Sequence, residues 1–214
     1  MSRPRILITS GPTREYLDPV RYLSNGSSGQ MGRALAVAAI ENGYDVTIVS
    51  GPVSISYPDE AKVISVVSTQ EMFDAVMDSW SDCVGMIAAA APSDFRPATF
   101  SESKIKKSAS SKNLSIEFVE NPDILAEVGR RKSDSQWTIG FALETNDGVN
   151  NAVAKLKRKN CNFIVLNRPS AIDSGENQVS IIDANGQVVE KISGPKQTVA
   201  NKILEYQPDA QASE

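Results

Sequence analysis

The chain contains no histidine. That absence removes Ser/His and Cys/His nucleophilic catalysis, imidazole proton shuttling and histidine-ligated metals together. Any chemistry must rest on Lys, Arg, Asp, Glu, Asn, hydroxyls, backbone amides and a metal ion carried in with a ligand. Cysteine is scarce too. Cys83 and Cys161 are the only two, and both lie in apolar, strand-like surroundings. They are expected as buried thiols rather than as a disulfide or a metal pair. No apolar run approaches the roughly 20 residues of a membrane-spanning helix. Met1 to Pro4 leads directly into a strand, without the pattern of a secretory leader. The expectation is a cytoplasmic protein with no membrane partner. A net charge of -4 lacks the basic excess of a general nucleic-acid binder, so no nucleic-acid partner is expected.

What is present suits a soluble globular chain. With 214 residues, 41% of them hydrophobic and 22% charged, it can build one sizeable α/β domain with a full core. Apolar runs at 5–9, 45–50, 62–67, 84–89, 138–142 and 163–166 read as strands. Near-continuous rather than alternating, they suit a sheet covered on both faces. Helical patterns alternate with them. Met31, Ala34, Leu35, Ala38 and Ala39 form one stripe, ending near Asn42 and Gly43. Thr69 is a plausible N-cap for a helix to about Trp80. A short helix is expected near 122–131. Val149, Ala152, Val153 and Leu156 mark another. Segments 178–182 and 187–192 flank Asp183-Ala184-Asn185-Gly186, the turn of a β-hairpin. A helix near 196–205 follows. The fold class is therefore α/β: a Rossmann-like, doubly wound, mostly parallel sheet with a C-terminal β-hairpin. One domain is expected over 1–206, with a flexible tail at 207–214.

The most informative segment is the first βα connection. Such connections usually take a few residues; here Thr9 is followed by about twenty, rich in Gly and Ser, before a helix begins. Gly26, Ser27, Ser28 and Gly29 could cradle a phosphate with backbone amides at that helix N-terminus, or form only a flexible loop. Their spacing is neither a Walker loop nor a dinucleotide fingerprint. Residues 92–112 hold Lys104, Lys106, Lys107 and Lys112 without apolar periodicity. They are expected as a mobile basic flap over the strand ends, beside Asp94. Asn121-Pro122-Asp123 opens a helix, with Asn121 a good N-cap. Phe141, ending a strand, could stack a base or belong to the core. Lys155 and Lys159 stand at i and i+4 and share a helix face.

The order of these motifs is specific. Gly11-Pro12-Thr13-Arg14, Asp18-Pro19-Val20-Arg21-Tyr22, Ser24-Asn25, Ser27-Ser28-Gly29, Met31-Gly32, Asp94-Phe95-Arg96, Lys104-Ile105-Lys106-Lys107, Asn121-Pro122-Asp123-Ile124 and Gly140-Phe141-Ala142 occur together. The chain closely resembles the phosphopantothenate–cysteine ligase (phosphopantothenoylcysteine synthetase) family of coenzyme A biosynthesis, to about Leu204. The resemblance implies activation of 4′-phosphopantothenate by CTP with Mg²⁺. An acyl-cytidylate forms, and cysteine then displaces CMP. Asn25 and Lys104 match the family's catalytic positions. Ala90, Ala91, Asp94, Lys104, Pro122, Asp123, Ile124, Leu125, Phe141, Lys155 and Lys159 match or adjoin nucleotide-contact positions, and Asn25, Gly26, Ser27, Ser28 and Gly29 form the substrate loop. No metal ligand is assigned. The family also implies a homodimer, and the hairpin edge at 178–192 is one surface that could pair. The chain departs from the common family pattern at Gly26, Gln30 and Asn167-Arg168. Nothing in it resembles the flavin-dependent decarboxylase half of the family's fusion proteins. No FMN and no decarboxylase activity are expected, and a separate decarboxylase would take the product. The alternative is a non-catalytic nucleotide- or dinucleotide-binding module. The first loop lacks the close glycine spacing of dinucleotide binders, and such a module leaves the basic flap without a role.

Overall fold

A computed structural model describes residues 3–106, 113–144, 147–167 and 177–207. The chain runs β1 (Arg5–Ser10), β2 (Arg14–Tyr16), β3 (Tyr22–Ser24), α1 (Gln30–Glu41), β4 (Asp45–Ser50), β5 (Lys62–Ser65), α2 (Thr69–Trp80), β6 (Gly85–Ala88), β7 (Phe95–Pro97), β8 (Phe118–Glu120) and α3 (Ile124–Arg131). It continues through β9 (Trp137–Leu143), α4 (Gly148–Arg158), β10 (Phe163–Asn167), β11 (Asn177–Asp183), β12 (Val188–Gly194) and α5 (Lys196–Leu204). Eight strands form one sheet in the order β12-β11-β10-β9-β6-β1-β4-β5. Neighbours from β10 to β5 pair parallel; β11 and β12 add an antiparallel hairpin. The mostly parallel Rossmann-like sheet and the hairpin expected from the sequence are both present.

Alternation along β1 explains the two covered faces. Ile6 and Ile8 point into a cluster with Leu35 and Ala38 of α1 and with Val199 and Ile203 of α5. Leu7 points the other way, against Met72 and Val76 of α2 and Val128 of α3. Helix α4 places Ala152 and Leu156 over Ile164 and Leu166 of β10. Fully burying an Ile or Leu side chain is favourable by about 1.5–3 kcal/mol, so a strand with both faces covered gains from nearly every residue.

Several local expectations need correction. Ser68, not Thr69, caps α2: its Oγ accepts the Glu71 N–H at 3.1 Å. Thr69 is held elsewhere, its hydroxyl 2.8 Å from that of Thr13. Asp123 rather than Asn121 caps α3, accepting the Ala126 N–H at 3.0 Å. Asn121 instead donates to the Ser93 carbonyl and accepts from Arg96. The ribbons β2–β3 and β7–β8 were not anticipated, because three-residue strands carry too little periodicity to read. They also change the picture of segment 92–112. Its first part leads into β7, which pairs with β8, and the Asn121 N–H donates to Asp94 O at 2.8 Å. Lys107 and Lys112 lie outside the described residues, as do Arg168 and positions 208–214 of the expected tail. Among the described residues, no helix is long and apolar enough to cross a membrane.

Candidate active site

One cavity of about 1130 Å³ opens at the carboxyl ends of the parallel strands. It lies where the chain order reverses, with β4 on one side of β1 and β6 on the other. Open parallel sheets bind ligands at this position.

The first wall is the long loop after β1. Gly29 takes a left-handed φ of 75° at the start of α1, and no side chain caps that helix. A Cβ at Gly29 would lie 2.9 Å from Val53 Cγ1. Gly29 thus offers no side-chain acceptor to the first-turn N–H groups, and residues from Gly26 to Gly32 border the cavity. Below them, Ser10 Oγ donates to Gly29 O at 3.2 Å and receives the Tyr57 hydroxyl at 2.8 Å. Gly32 permits this proximity, since a Cβ there would fall 2.1 Å from Ser10 Oγ. The Asn25 amide crosses the gap, donating to Pro92 O at 2.9 Å and Ala91 O at 3.3 Å.

A buried hydroxyl network sets the second wall. The Ser93 N–H donates to Thr13 Oγ1 at 2.9 Å, and the Thr69 N–H donates to the buried Glu15 carboxylate at 2.8 Å. Asn121 Nδ2 holds Ser93 O at 2.9 Å. These bonds fix the backbone on either side of Asp94, whose exposed side chain borders the cavity. Nothing in the local sequence pattern marks Thr13, Glu15, Thr69 and Ser93 as a unit, because they are brought together only by the fold.

The third wall is basic. Lys155 Nζ donates to Phe141 O at 2.8 Å. Lys159 is 7% exposed and pairs with Asp123. Burial pulls Lys155 below the ordinary lysine range, partly offset by Cys161, Glu144 and Asp94. It does the same to Lys159, offset by Asp94 and Cys161. Two low-dielectric cations in one cavity favour an anionic ligand. Arg158 and Lys196 also border this space, and Lys196 Nζ donates to Asn177 Oδ1 at 2.9 Å. The sequence reading passed over both. Cys161 and Cys83 are buried free thiols, as expected, and burial pushes Cys83 up to about 11.

The cavity thus gathers Asn25, Gly26, Ser27, Ser28, Gly29, Ala90, Ala91, Asp94, Pro122, Asp123, Ile124, Leu125, Phe141, Lys155 and Lys159. Lys104 is the exception. It is exposed and does not line the cavity. Among the described residues no three His, Cys, Asp or Glu side chains cluster as a metal site. The side chains of Asp94 and Glu144 both border the cavity.

Comparison with known proteins decides the family. Residues 1–208 match the model of the DNA/pantothenate metabolism flavoprotein C-terminal domain. The chain belongs to that family. The coenzyme A biosynthesis bifunctional protein CoaBC of Vibrio vulnificus strain CMCP6 is 46% identical over 186 residues, covering 85% of this chain and 46% of that protein. CoaBC of Escherichia coli K12 is 46% identical over 173 residues, covering 80% of this chain and 43% of its own length. The chain thus spans about half the length of these relatives. Its fold matches the crystal structure of the C-terminal domain of a CoaBC protein, with a TM-score of 0.78 and 38% identity over 94% of this chain and 92% of that one. The flavoprotein from Streptococcus pneumoniae shares the fold at a TM-score of 0.82 and 20% identity, covering 94% and 97% of the two chains. The resemblance drawn from the motifs and the family found by comparison agree.

Proposed function

We propose that this chain is a CTP-dependent phosphopantothenate–cysteine ligase of coenzyme A biosynthesis. The observation that carries the reading is the single cavity that joins an uncapped helix N-terminus, the Asn25 amide, the half-buried Lys155 and the buried Lys159. Ligation by nucleotide activation needs charge stabilisation more than proton relay, which suits a chain without histidine. A carboxylate oxygen of 4′-phosphopantothenate attacks the α-phosphorus of CTP, and the bond to pyrophosphate breaks. The cysteine amine then attacks the acyl carbon of the acyl-cytidylate. CMP leaves, the amide forms and the amine's proton passes to solvent.

In this reading the N–H groups around residues 26–29 hold anionic oxygens and Asn25 orients the acyl-cytidylate. Phe141 meets the base; Asp94, Ala90, Ala91 and the stretch from Pro122 to Leu125 shape its pocket. Lys155, Lys159 and Lys104 balance phosphate charge. Asp94 and Glu144 border the cavity and would be the protein carboxylates that hold Mg²⁺, which keeps several waters and would neutralise triphosphate charge when bound. No flavin takes part, and a separate phosphopantothenoylcysteine decarboxylase would use the product. We further infer a homodimer. Tyr16, Tyr22 and Leu23 on β2–β3 and Phe95, Phe118 and Val119 on β7–β8 are exposed large apolar side chains on two adjoining ribbons. That surface is a stronger candidate for self-association than the β11–β12 edge.

Incubation with 4′-phosphopantothenate, cysteine, Mg²⁺ and CTP should release pyrophosphate and yield a product mass equal to the amide; a parallel reaction with ATP reads nucleotide choice. Failure to release pyrophosphate with any nucleotide would sink the ligase reading, and tight NAD(P) binding without turnover would favour the non-catalytic module.

A further inference from the structure

The turn between β2 and β3 holds a carboxylate that the cavity does not use. The Asp18 side chain is fully buried. One oxygen accepts the backbone N–H groups of Val20 at 2.8 Å and Arg21 at 2.9 Å. The other accepts the Arg21 guanidinium and, from 87 positions along the chain, the N–H of Ile105 at 3.1 Å. Arg21 completes the loop by donating to Ile105 O at 2.7 Å. Both backbone polar groups of Ile105 are thereby held by one ion pair. Four residues earlier, the Ser101 N–H donates to Leu17 O at 3.0 Å. The backbone flanking Lys104 is pinned on both sides to the same turn.

Burial alone would raise the Asp18 carboxyl; the Arg21 guanidinium and the N–H donors of Ile105, Val20 and Arg21 outweigh it and hold it well below the usual carboxylate range. The carboxylate therefore stays ionised throughout the neutral range. Charge-assisted hydrogen bonds of this kind are stronger than neutral ones. Lys104 itself is exposed. Its ammonium has freedom while its backbone does not.

We propose that Asp18 is a positioning residue for Lys104: through Ile105 it fixes the point from which that lysine reaches the reacting phosphates. The inference rests on the ligase reading for its kinetic consequence, and on the geometry alone for the tether. A free lysine-bearing loop would spread its charge over many positions, whereas a fixed anchor limits it to the reach of one side chain. Small displacements of a group acting on a transition state can cost about 100-fold in rate.

Two variants separate the tether from general damage. Asp18→Asn weakens the whole cluster. Ile105→Pro removes the N–H that Asp18 accepts and leaves the residues of the Asp18–Arg21 turn unchanged, although it also fixes φ at 105 and restricts Lys104; Ile105→Ala, which keeps the N–H, controls for the lost side chain. Hydrogen exchange should show Ile105 protected in the unaltered chain and exposed in Asp18→Asn. Both variants should lower kcat for pyrophosphate release about 10- to 100-fold, with KM for 4′-phosphopantothenate little changed. In a Lys104→Ala background neither should cause further loss, because the anchor then has nothing to position. Unprotected Ile105, full activity of Ile105→Pro, or losses that multiply with Lys104→Ala would each overturn the proposal. No pyrophosphate from the unaltered chain, with Ile105 protected, would overturn the ligase reading instead.

Discussion

Asn25 bonds two carbonyls that belong to the turn after β6. Its amide thus joins two walls of the cavity, and in the proposed reaction the acyl-cytidylate lies between them. Asn25→Ala removes the bridge without opening a core cavity, since the side chain is exposed. The expected outcome is a folded chain in which amide formation slows and acyl-cytidylate accumulates; quenched-flow mass spectrometry would detect it. Full turnover would remove Asn25 from the chemistry. The two lysines of the cavity wall give a second test. Lys155 and Lys159 lie below the ordinary lysine range because burial disfavours their charged form. A polyphosphate favours that form, so binding draws protons on. Nucleotide affinity should fall as the pH is raised through the alkaline range. Calorimetry in buffers of different ionisation enthalpy should register proton uptake on binding.

Among the elements, α2 shows how local chemistry sets a boundary. Ser68 accepts the Glu71 N–H and the Glu71 carboxylate accepts the Val67 N–H at 2.7 Å, a reciprocal arrangement at the first turn. Ser68→Ala should cost about 1 kcal/mol of stability, read by denaturant unfolding, while Thr69→Ser should keep the helix cap. By sequence Thr69 is a plausible cap; only the structure reveals that its hydroxyl belongs to the Thr13 network. The long elements were legible because their apolar stripes match their periods, as in α1 and β4. So was the Asn185-Gly186 turn, where Gly186 takes a φ of 81°. The ribbons beside the cavity were not, since their pairing is decided by contacts with residues far away in the chain. The same holds for the site. Its loop and lysines could be read in sequence order. The carboxylate of Asp18, the buried Glu15 and the placement of Lys196 depend on separations that no motif records.

For the whole molecule, acid is the informative stress. Hydrogen bonds from Arg130 and Arg131 hold the Glu127 carboxyl down to about 2, and Asp18 is held low as well. Unfolded carboxylates titrate near pH 4, at about 3.9 for Asp and 4.3 for Glu. Groups depressed in the folded state add stability that is complete above that range and is lost as the pH falls toward 2. The melting temperature should therefore decline between about pH 5 and pH 2, and Glu127→Gln should make the decline shallower. A decline as steep in that variant would assign the effect to other carboxylates.

The direction of the strands has one more consequence. β1 runs toward the cavity, so Pro4 lies at the far end of the sheet, where its carbonyl accepts the Asp45 N–H at 2.9 Å. β12 brings the chain back to the cavity rim and α5 carries it away again. Tyr206 then meets the Phe163 ring at the start of β10, and the hydroxyl of Tyr44, next to Asp45, donates to Gln207. Residues 4 and 207 thus leave the sheet from the same end, opposite the mouth. A surface linkage at either end should leave nucleotide access unaltered, and a short peptide joining the two ends should permit a circular permutant opened at Asn185-Gly186.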